Sequence, residues 1–129
     1  MPATGGTGLR ILVIEDDPDV RESLRDVLSD SGYDVSCAEE GRSGLAALAA
    51  QPRAPAAILL DLTMPGMDGY QFMAELRRHP RWAAIPVLVL TAQASSTKPN
   101  VRGAALVVRK PIDLDELLTL VAQVTGSQV

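Results

Sequence analysis

The sequence is poor in cysteine and aromatic residues, and it has no long apolar run. Cys37 is the only cysteine, which excludes an internal disulfide or a cysteine-rich metal site and favours a reducing compartment, by default the cytoplasm. Aromatic residues make up 3% of the chain, so the core must be aliphatic. No run of about 18 apolar residues could span a membrane, and Met1–Arg10 lacks a signal-peptide run. We expect a soluble protein with no membrane contact.

Basic residues are also few, and none form a continuous block. The chain has 12 Lys and Arg against 16 Asp and Glu, which gives a net charge of −4 and argues against direct nucleic-acid binding. With 129 residues, 47% of them hydrophobic, it is long enough for one compact domain. We expect that domain over residues 9–125, with a flexible N-terminus at 1–8 and a frayed C-terminus at 126–129.

Short, uninterrupted aliphatic runs recur along the chain and predict strands. Runs of four or five such residues are typical of strands buried on both faces, as in a parallel sheet covered by helices. The runs are Ile11–Ile14, Ala56–Leu60, Val87–Leu90 and Ala104–Val108, with Tyr33–Cys37 as a weaker fifth.

Apolar residues at helical spacing separate most of these runs and predict four helices. The first helix begins at Asp17 as its N-cap and stops at Gly32. The second ends at Pro52, the third ends before Pro80, and the last begins at Asp113 as its N-cap. Alternating strands and helices indicate an α/β fold with a doubly wound, five-stranded parallel sheet. Ligands of such sheets bind beyond the carboxyl ends of the strands.

Polar and charged residues follow four of the five predicted strands. They are Glu15, Asp16 and Asp17 after the first, Asp61 after the third, Thr91 after the fourth and Lys110 after the fifth. Most of them alone have an ordinary explanation as capping, turn or solvated residues, and Asp17 is assigned to the cap. Asp61 is the exception, because a lone carboxylate directly after a buried run and before Leu62 is rarely neutral. Because parallel strands end at one edge, however, these side chains should meet there.

Carboxylates gathered at one edge repel one another, so they require a divalent cation such as Mg²⁺ or a cationic side chain such as Lys110. A lysine beside a metal and a hydroxyl suits an incoming phosphoryl group, because phosphoryl transfer depends on positioning and on neutralising oxygen charge. Asp61 is the favoured acceptor because it lies at the end of a rigid strand.

Four segments resemble the signatures of the response-regulator receiver domain of two-component signalling. They are Ile11–Asp17 (ILVIEDD), Leu60–Gly69 (LDLTMPGMDG), Val87–Ala92 (VLVLTA) and Val108–Pro111 (VRKP), and the resemblance covers about Leu9 to Val124. It implies a flavodoxin-like fold with strand order 2-1-3-4-5 and a cis peptide before Pro111. It also implies a stand-alone, chemotaxis-regulator-like protein of bacterial-type signalling.

The resemblance further implies roles for individual residues. Asp61 would accept a phosphoryl group from a sensor histidine kinase or a histidine phosphotransfer protein. Thr91 would be the switch hydroxyl and Lys110 the phosphoryl-binding lysine. The implied ligands of Mg²⁺ (or Mn²⁺) are Asp16, Asp61, the backbone carbonyl of Thr63 and, through water, Glu15.

The output of the protein is expected to be contact with a downstream protein rather than catalysis. The chain ends soon after its last predicted helix, so we expect no separate output domain and no enzyme activity beyond its own phosphorylation and dephosphorylation.

Two features depart from the family. The segment between Thr91 and Lys110, where the family has its fourth helix, is short and contains Ser95–Thr97 and Pro99. This predicts that the family's fourth helix is shortened or irregular here, in addition to the four helices predicted above. Val107 stands where the family has an aromatic switch residue. This predicts weakened coupling between Thr91 and the surface that the family forms from its fourth helix, fifth strand and last helix.

Two other functions are compatible with parts of the sequence. A pseudo-receiver would bind partners without phosphorylation, but the presence of Asp16, Asp61, Thr91 and Lys110 argues against it. An aspartyl-nucleophile phosphatase of the haloacid-dehalogenase type also uses a strand-end Asp and Mg²⁺. That family needs a second Asp two residues after the nucleophile, and the position here is Thr63.

Overall fold

A computed structural model of the protein describes residues 8–62, 69–92 and 104–126. The expectations for residues 1–7, for Thr63, for the shortened or irregular helix between Thr91 and Lys110 (residues 93–103) and for residues 127–129 lie outside the described residues and stay predictions. The elements in chain order are β1 (Arg10–Ile14), α1 (Pro18–Asp30), β2 (Asp34–Ala38), α2 (Gly41–Ala50), β3 (Ala57–Asp61), α3 (Gly69–Arg78), β4 (Val87–Thr91), β5 (Leu106–Arg109) and α4 (Leu114–Thr125).

The five strands form one parallel sheet in the order β2-β1-β3-β4-β5. This confirms the predicted doubly wound, flavodoxin-like architecture. The register aligns the carboxyl ends of the strands, with Asp61 opposite Leu90 and Thr91 opposite Arg109. Because parallel strands all point the same way, the residues that follow β1, β3, β4 and β5 lie along one edge of the sheet.

The hydrophobic core consists of one layer on each face of the sheet, because successive strand residues point to opposite faces. The layer under α1 and α4 includes Ile11, Val13, Leu24, Leu28, Leu59, Leu88, Leu117 and Val121. The layer under α2 and α3 includes Leu12, Ile14, Leu48, Ile58, Leu60, Phe72 and Leu76. Nearly all of these side chains are aliphatic, as the scarcity of aromatic residues requires.

The two edge strands depart from the prediction of burial on both faces. In β5, which begins two residues later than expected, Val108 is buried but Val107 is 44% exposed. Pairing nevertheless starts early, because the Ala105 amide donates to the carbonyl of Val87 at 2.9 Å. An aliphatic run in an edge strand therefore need not be buried on both faces.

The helix boundaries follow the predicted capping residues. The Asp17 carboxylate accepts hydrogen bonds from the amides of Asp19 (2.9 Å) and Val20 (3.4 Å) at the start of α1. The chain leaves that helix through Gly32, whose φ of 97° is a conformation that favours glycine. Asp113 caps α4 by accepting from the Glu116 amide at 3.2 Å. Within the described parts of the chain, no helix has both the length and the apolar character needed to cross a bilayer.

The connection between α3 and β4 lies at the edge of the sheet formed by the amino ends of the strands. The guanidinium of Arg77 donates to the carbonyls of Ala83 and Ile85 and so fixes the connection. Trp82, the only tryptophan, is 7% exposed, and its ring lies 4.3 Å from the ring of His79. This edge is opposite to the one that collects the acidic residues.

Replacing Asp17 with Ala should lower the free energy of unfolding by about 1 kcal/mol, because two amides at the start of α1 lose their side-chain acceptor. The measurement is urea unfolding. Asp26→Ala is the matched control, since Asp26 is an exposed acidic residue in the middle of the same helix. Equal losses in the two variants would contradict the capping role.

Candidate functional site

Backbone hydrogen bonds tie the sheet together at the edge where the carboxyl ends of the strands meet. These hydrogen bonds continue beyond the last paired residues of the strands, so the backbone of the segments that carry the polar side chains is held in place. The bonds run from the amide of Glu15 to the carbonyl of Ala38 (3.1 Å), from Leu62 to Leu90 (3.1 Å) and from Lys110 to Thr91 (2.7 Å).

Lys110 forms the electrostatic centre of this edge. Its ammonium nitrogen lies 2.9 Å from Oε1 of Glu15 and 3.7 Å from Oδ2 of Asp61. Glu15 has no exposed surface and Asp61 is 4% exposed, whereas the Lys110 side chain keeps 21% of its surface in solvent. Two buried carboxylates, one directly after β1 and one at the end of β3, thus share one ammonium group that follows β5.

The pKa of Lys110 reflects two opposing effects. Burial alone lowers the pKa of its ammonium group, but the hydrogen bond to Glu15 and the negative charges of the neighbouring carboxylates outweigh burial. The net result is a pKa above the ordinary value for lysine. Lys110 therefore keeps its positive charge at neutral pH, as a group that must neutralise anionic oxygens requires.

Both carboxylate oxygens of Glu15 already have donors. Oε1 accepts from Lys110, and Oε2 accepts from the backbone amide of Asp17 at 3.2 Å. A buried carboxylate needs such partners, because an unpaired buried charge is costly. Glu15 thus links the lysine to the loop between β1 and α1.

Three carboxylates at this edge could hold a divalent cation. Glu15, Asp16 and Asp61 each offer an oxygen, and these oxygens lie within 4.8 Å of one another. Carboxylate oxygen is the ligand that Mg²⁺ prefers, and an exposed group such as Asp16 leaves room for the water molecules that Mg²⁺ usually retains. The donor set therefore fits Mg²⁺, while Thr63, the remaining predicted ligand, lies outside the described residues.

The other predicted site residues lie at the ends of β4 and β5. Thr91 is 2% exposed and ends β4, and the small residue Ala92 after it is exposed. The peptide bond between Lys110 and Pro111 is cis. A cavity of about 620 Å³ opens beside Ala92 and Lys110, and residues of α1, of the β5–α4 connection and of the start of α4 form its other walls.

Two residues that help to build the site were missed in the sequence. Arg21, in α1, donates from Nη1 to the carbonyl of Glu15 at 2.8 Å and to that of Asp16 at 3.4 Å. Only its position four residues after the cap Asp17 could have indicated this, because helical side chains lean toward the N-terminus of their helix. Gly69, the first residue of α3, is the second.

Gly69 packs directly on the backbone that follows Asp61. A Cβ atom at this position would lie 2.7 Å from Cα of Leu62 and 3.1 Å from the Asp61 carbonyl oxygen, both of which are main-chain atoms. The Gly69 amide also donates to the Leu62 carbonyl at 3.0 Å. The glycine that ends the motif LDLTMPGMDG thus allows α3 to begin close to the end of β3.

The sequence profile of the response regulator receiver domain matches residues 11–122, which is most of the chain. The chain belongs to the response regulator receiver domain family. This confirms the family predicted from the four motifs. Receiver domains are signalling modules that interact with histidine kinases.

Several known proteins are similar to this receiver domain. Response regulator MprA of Mycolicibacterium vanbaalenii is 42% identical over 113 residues, which cover 85% of this chain and 47% of that protein. A putative response regulator of Chloroflexus aurantiacus is 31% identical with a TM-score of 0.85, and the match covers 93% of this chain and 99% of that one. This receiver domain spans just under half the length of the curated relatives that it matches first.

One similar structure holds a metal ion. The receiver domain of the sensor histidine kinase PA1611 of Pseudomonas aeruginosa is 27% identical with a TM-score of 0.84, and the match covers 94% of this chain and all of that one. It was solved with a magnesium ion coordinated in its active site cleft.

Replacing Gly69 with Ala should lower the free energy of unfolding by about 2 kcal/mol, because the new methyl group meets main-chain atoms. Gly44→Ala in α2 is the matched control. Its methyl group would meet only side-chain atoms, the flexible end of Ile14 and, at 3.2 Å, the ring of Phe72, which can shift more easily than main-chain atoms. A helix also gains up to about 1 kcal/mol from the change to Ala. Urea unfolding of both variants measures the difference, and a smaller loss at Gly69 than at Gly44 would contradict the packing argument.

Proposed function

We propose that this receiver domain accepts a phosphoryl group on Asp61 from a phosphohistidine of a sensor histidine kinase or of a histidine phosphotransfer protein. One observation carries the proposal. The Asp61 carboxylate ends a central strand, is 4% exposed and faces the ammonium group of Lys110 at 3.7 Å. A carboxylate held at a fixed point beside a cation is suited to receive a group that brings negative charge.

The transfer requires little chemistry from the protein itself. An oxygen of Asp61 attacks the phosphorus, the bond from phosphorus to the histidine nitrogen breaks, and an acyl phosphate forms. Lys110 neutralises the added oxygens by moving from Glu15 to the phosphoryl group, and the Thr91 hydroxyl binds another of them as the switch residue. The protein acts only on itself, so we do not class it as an enzyme with an external substrate.

The acidic residues are proposed to hold Mg²⁺ or Mn²⁺ during transfer. When bound, the metal ion neutralises charge on the phosphoryl oxygens. Asp16 and Asp61 would bind it directly, together with the backbone carbonyl of Thr63. Glu15 would act through water, since both of its oxygens already accept hydrogen bonds.

Partners are proposed to be proteins, and the exchange is proposed to occur in the cytoplasm. The cavity beside Lys110 has apolar walls that include Val20, Pro111 and Ile112, which suits a protein donor approaching the acceptor. The acidic net charge favours no direct contact with nucleic acid. The signal is proposed to reach the downstream protein without the movement of an aromatic side chain that is usual in the family, because Val107 has no ring to move.

The two alternative functions, a pseudo-receiver and an aspartyl phosphatase, receive less support. The side chains proposed for phosphorylation are present and adjacent, which disfavours a pseudo-receiver. Membership of the receiver family disfavours an aspartyl phosphatase of the haloacid-dehalogenase type.

Incubation with Mg²⁺ and a small acyl phosphate donor, followed by intact mass, should show the gain of one phosphoryl group in the wild type and none in Asp61→Asn. The amide is not nucleophilic enough to replace the carboxylate. Asp17→Asn is the control, because Asn caps a helix as well as Asp does and the variant should be phosphorylated. Uptake of one phosphoryl group by Asp61→Asn, mapped to Asp16 or Asp17, would contradict the assignment.

Asp16→Ala should abolish measurable Mg²⁺ binding in calorimetry, because it removes a direct ligand from a site with few protein oxygens. Asp19→Ala is the control, since Asp19 is an exposed acidic residue of the same region that lies outside the carboxylate cluster. Unchanged affinity in Asp16→Ala, or equal weakening in both variants, would contradict the proposed ligand set.

A further inference from the structure

The side chain of Arg21 turns back from α1 toward the loop that carries the acidic pair. Nη1 donates to the carbonyl oxygen of Glu15 at 2.8 Å and to that of Asp16 at 3.4 Å. The Arg21 amide meanwhile donates to the Asp17 carbonyl at 2.9 Å. One residue thus binds the main chain of three consecutive positions, and these positions connect the end of β1 to the start of α1.

We infer that Arg21 is a positioning residue for the metal site, fixing the main chain of Glu15 and Asp16 so that their carboxylates converge with that of Asp61. The inference rests on the proposed function, because it concerns the Mg²⁺ required for phosphoryl transfer. Asp16 needs such support more than the other two do. Its side chain is exposed, whereas Glu15 and Asp61 are buried and lie opposite Lys110.

The chemistry of the guanidinium suits this role. A charged donor forms hydrogen bonds about twice as strong as a neutral one, and the planar fork holds its direction when one nitrogen meets two carbonyls. A lysine would supply the charge on a flexible stem without that direction. Arg21→Lys therefore separates the charge of the side chain from its geometry.

The charge and the hydrogen bonds of Arg21 act on the metal site in opposite directions. A positive charge near the site repels Mg²⁺, so its removal by itself would tighten metal binding. Loss of the hydrogen bonds frees the loop and weakens binding. The sign of the change in Mg²⁺ affinity therefore distinguishes positioning from a long-range charge effect, and a purely structural role would change thermal stability alone.

Calorimetric titration with Mg²⁺ in the absence of any phosphodonor should show weaker binding in Arg21→Ala, by about three- to tenfold. Removal of groups that orient metal ligands typically costs about 10- to 100-fold, and here the orientation acts through the main chain. Arg21→Lys should lie between Arg21→Ala and the wild type. Thermal unfolding of each variant checks that it is folded. If Arg21→Ala does not fold, Arg21→Lys alone still tests the inference.

Arg25→Ala is the matched control. Arg25 lies one turn further along α1, is exposed, and lines the same small cleft with Cys37 as Arg21 does. Within the described chain it has no hydrogen bond to the acidic loop. The control variant loses the same charge from the same face and should bind Mg²⁺ as the wild type does or slightly more tightly.

Phosphorylation with a small acyl phosphate donor supplies a second readout. In Arg21→Ala the Mg²⁺ concentration for half-maximal rate should rise, while the rate at saturating Mg²⁺ stays near that of the wild type, because bound metal restores the loop. Unchanged or tighter Mg²⁺ binding in Arg21→Ala, with a normal wild type, would overturn this inference alone. A wild type that neither binds Mg²⁺ nor gains a phosphoryl group would overturn the proposed function, and this inference with it.

Discussion

The contact between Lys110 and Glu15 is the interaction on which the acidic edge depends. Transferring a carboxylate from water into the interior is unfavourable unless an opposite charge and hydrogen bonds compensate. Glu15 is fully buried, and it obtains that compensation from an ammonium group 2.9 Å away that follows a different strand. The ends of β1 and β5 must therefore arrive at one place, and β3 and β4 lie between them in the sheet.

The same contact defines the ground state of the site. With its pKa raised, Lys110 remains charged while it bridges Glu15 and, at a longer distance, Asp61. The lysine thereby reduces the repulsion between two carboxylates that would otherwise face each other across neighbouring strands. In the proposed transfer it exchanges one anionic partner for another, so the positive charge is in place before the phosphoryl group arrives.

The sequence predicted the central part of the fold well, because those signals are local. Four aliphatic runs mark strands, and because successive strand residues point to opposite faces, each run contributes to both core layers. Asp17 and Asp113 cap helices through hydrogen bonds that span only two or three residues. The exposure of Val107 was not predictable in this way. An edge strand and a central strand can have the same aliphatic composition, and only the tertiary arrangement decides which faces are covered.

The positions of the candidate site residues were predictable from one topological rule, since parallel strands deliver their carboxyl ends to one edge. The distances were not, and neither was the contact of Arg21 with the acidic loop. That contact depends on the angle at which α1 leaves β1 and on the rotamer of a long side chain, neither of which leaves a pattern in the sequence. The chemical roles assigned to Asp61, Thr91, Lys110 and the acidic pair stay predictions.

The placement of Trp82 makes its intrinsic fluorescence a probe of folding. The indole is buried at the amino ends of the strands, with its ring tilted against the ring of His79, and it lies at the opposite edge of the sheet from the carboxylates. Its emission should report loss of the packed core while remaining insensitive to ligands at the distant edge. Unfolding curves with and without Mg²⁺ can therefore be followed with one intrinsic fluorophore, and any shift between them reports the linkage between cation binding and folding, without a direct optical contribution from the ion.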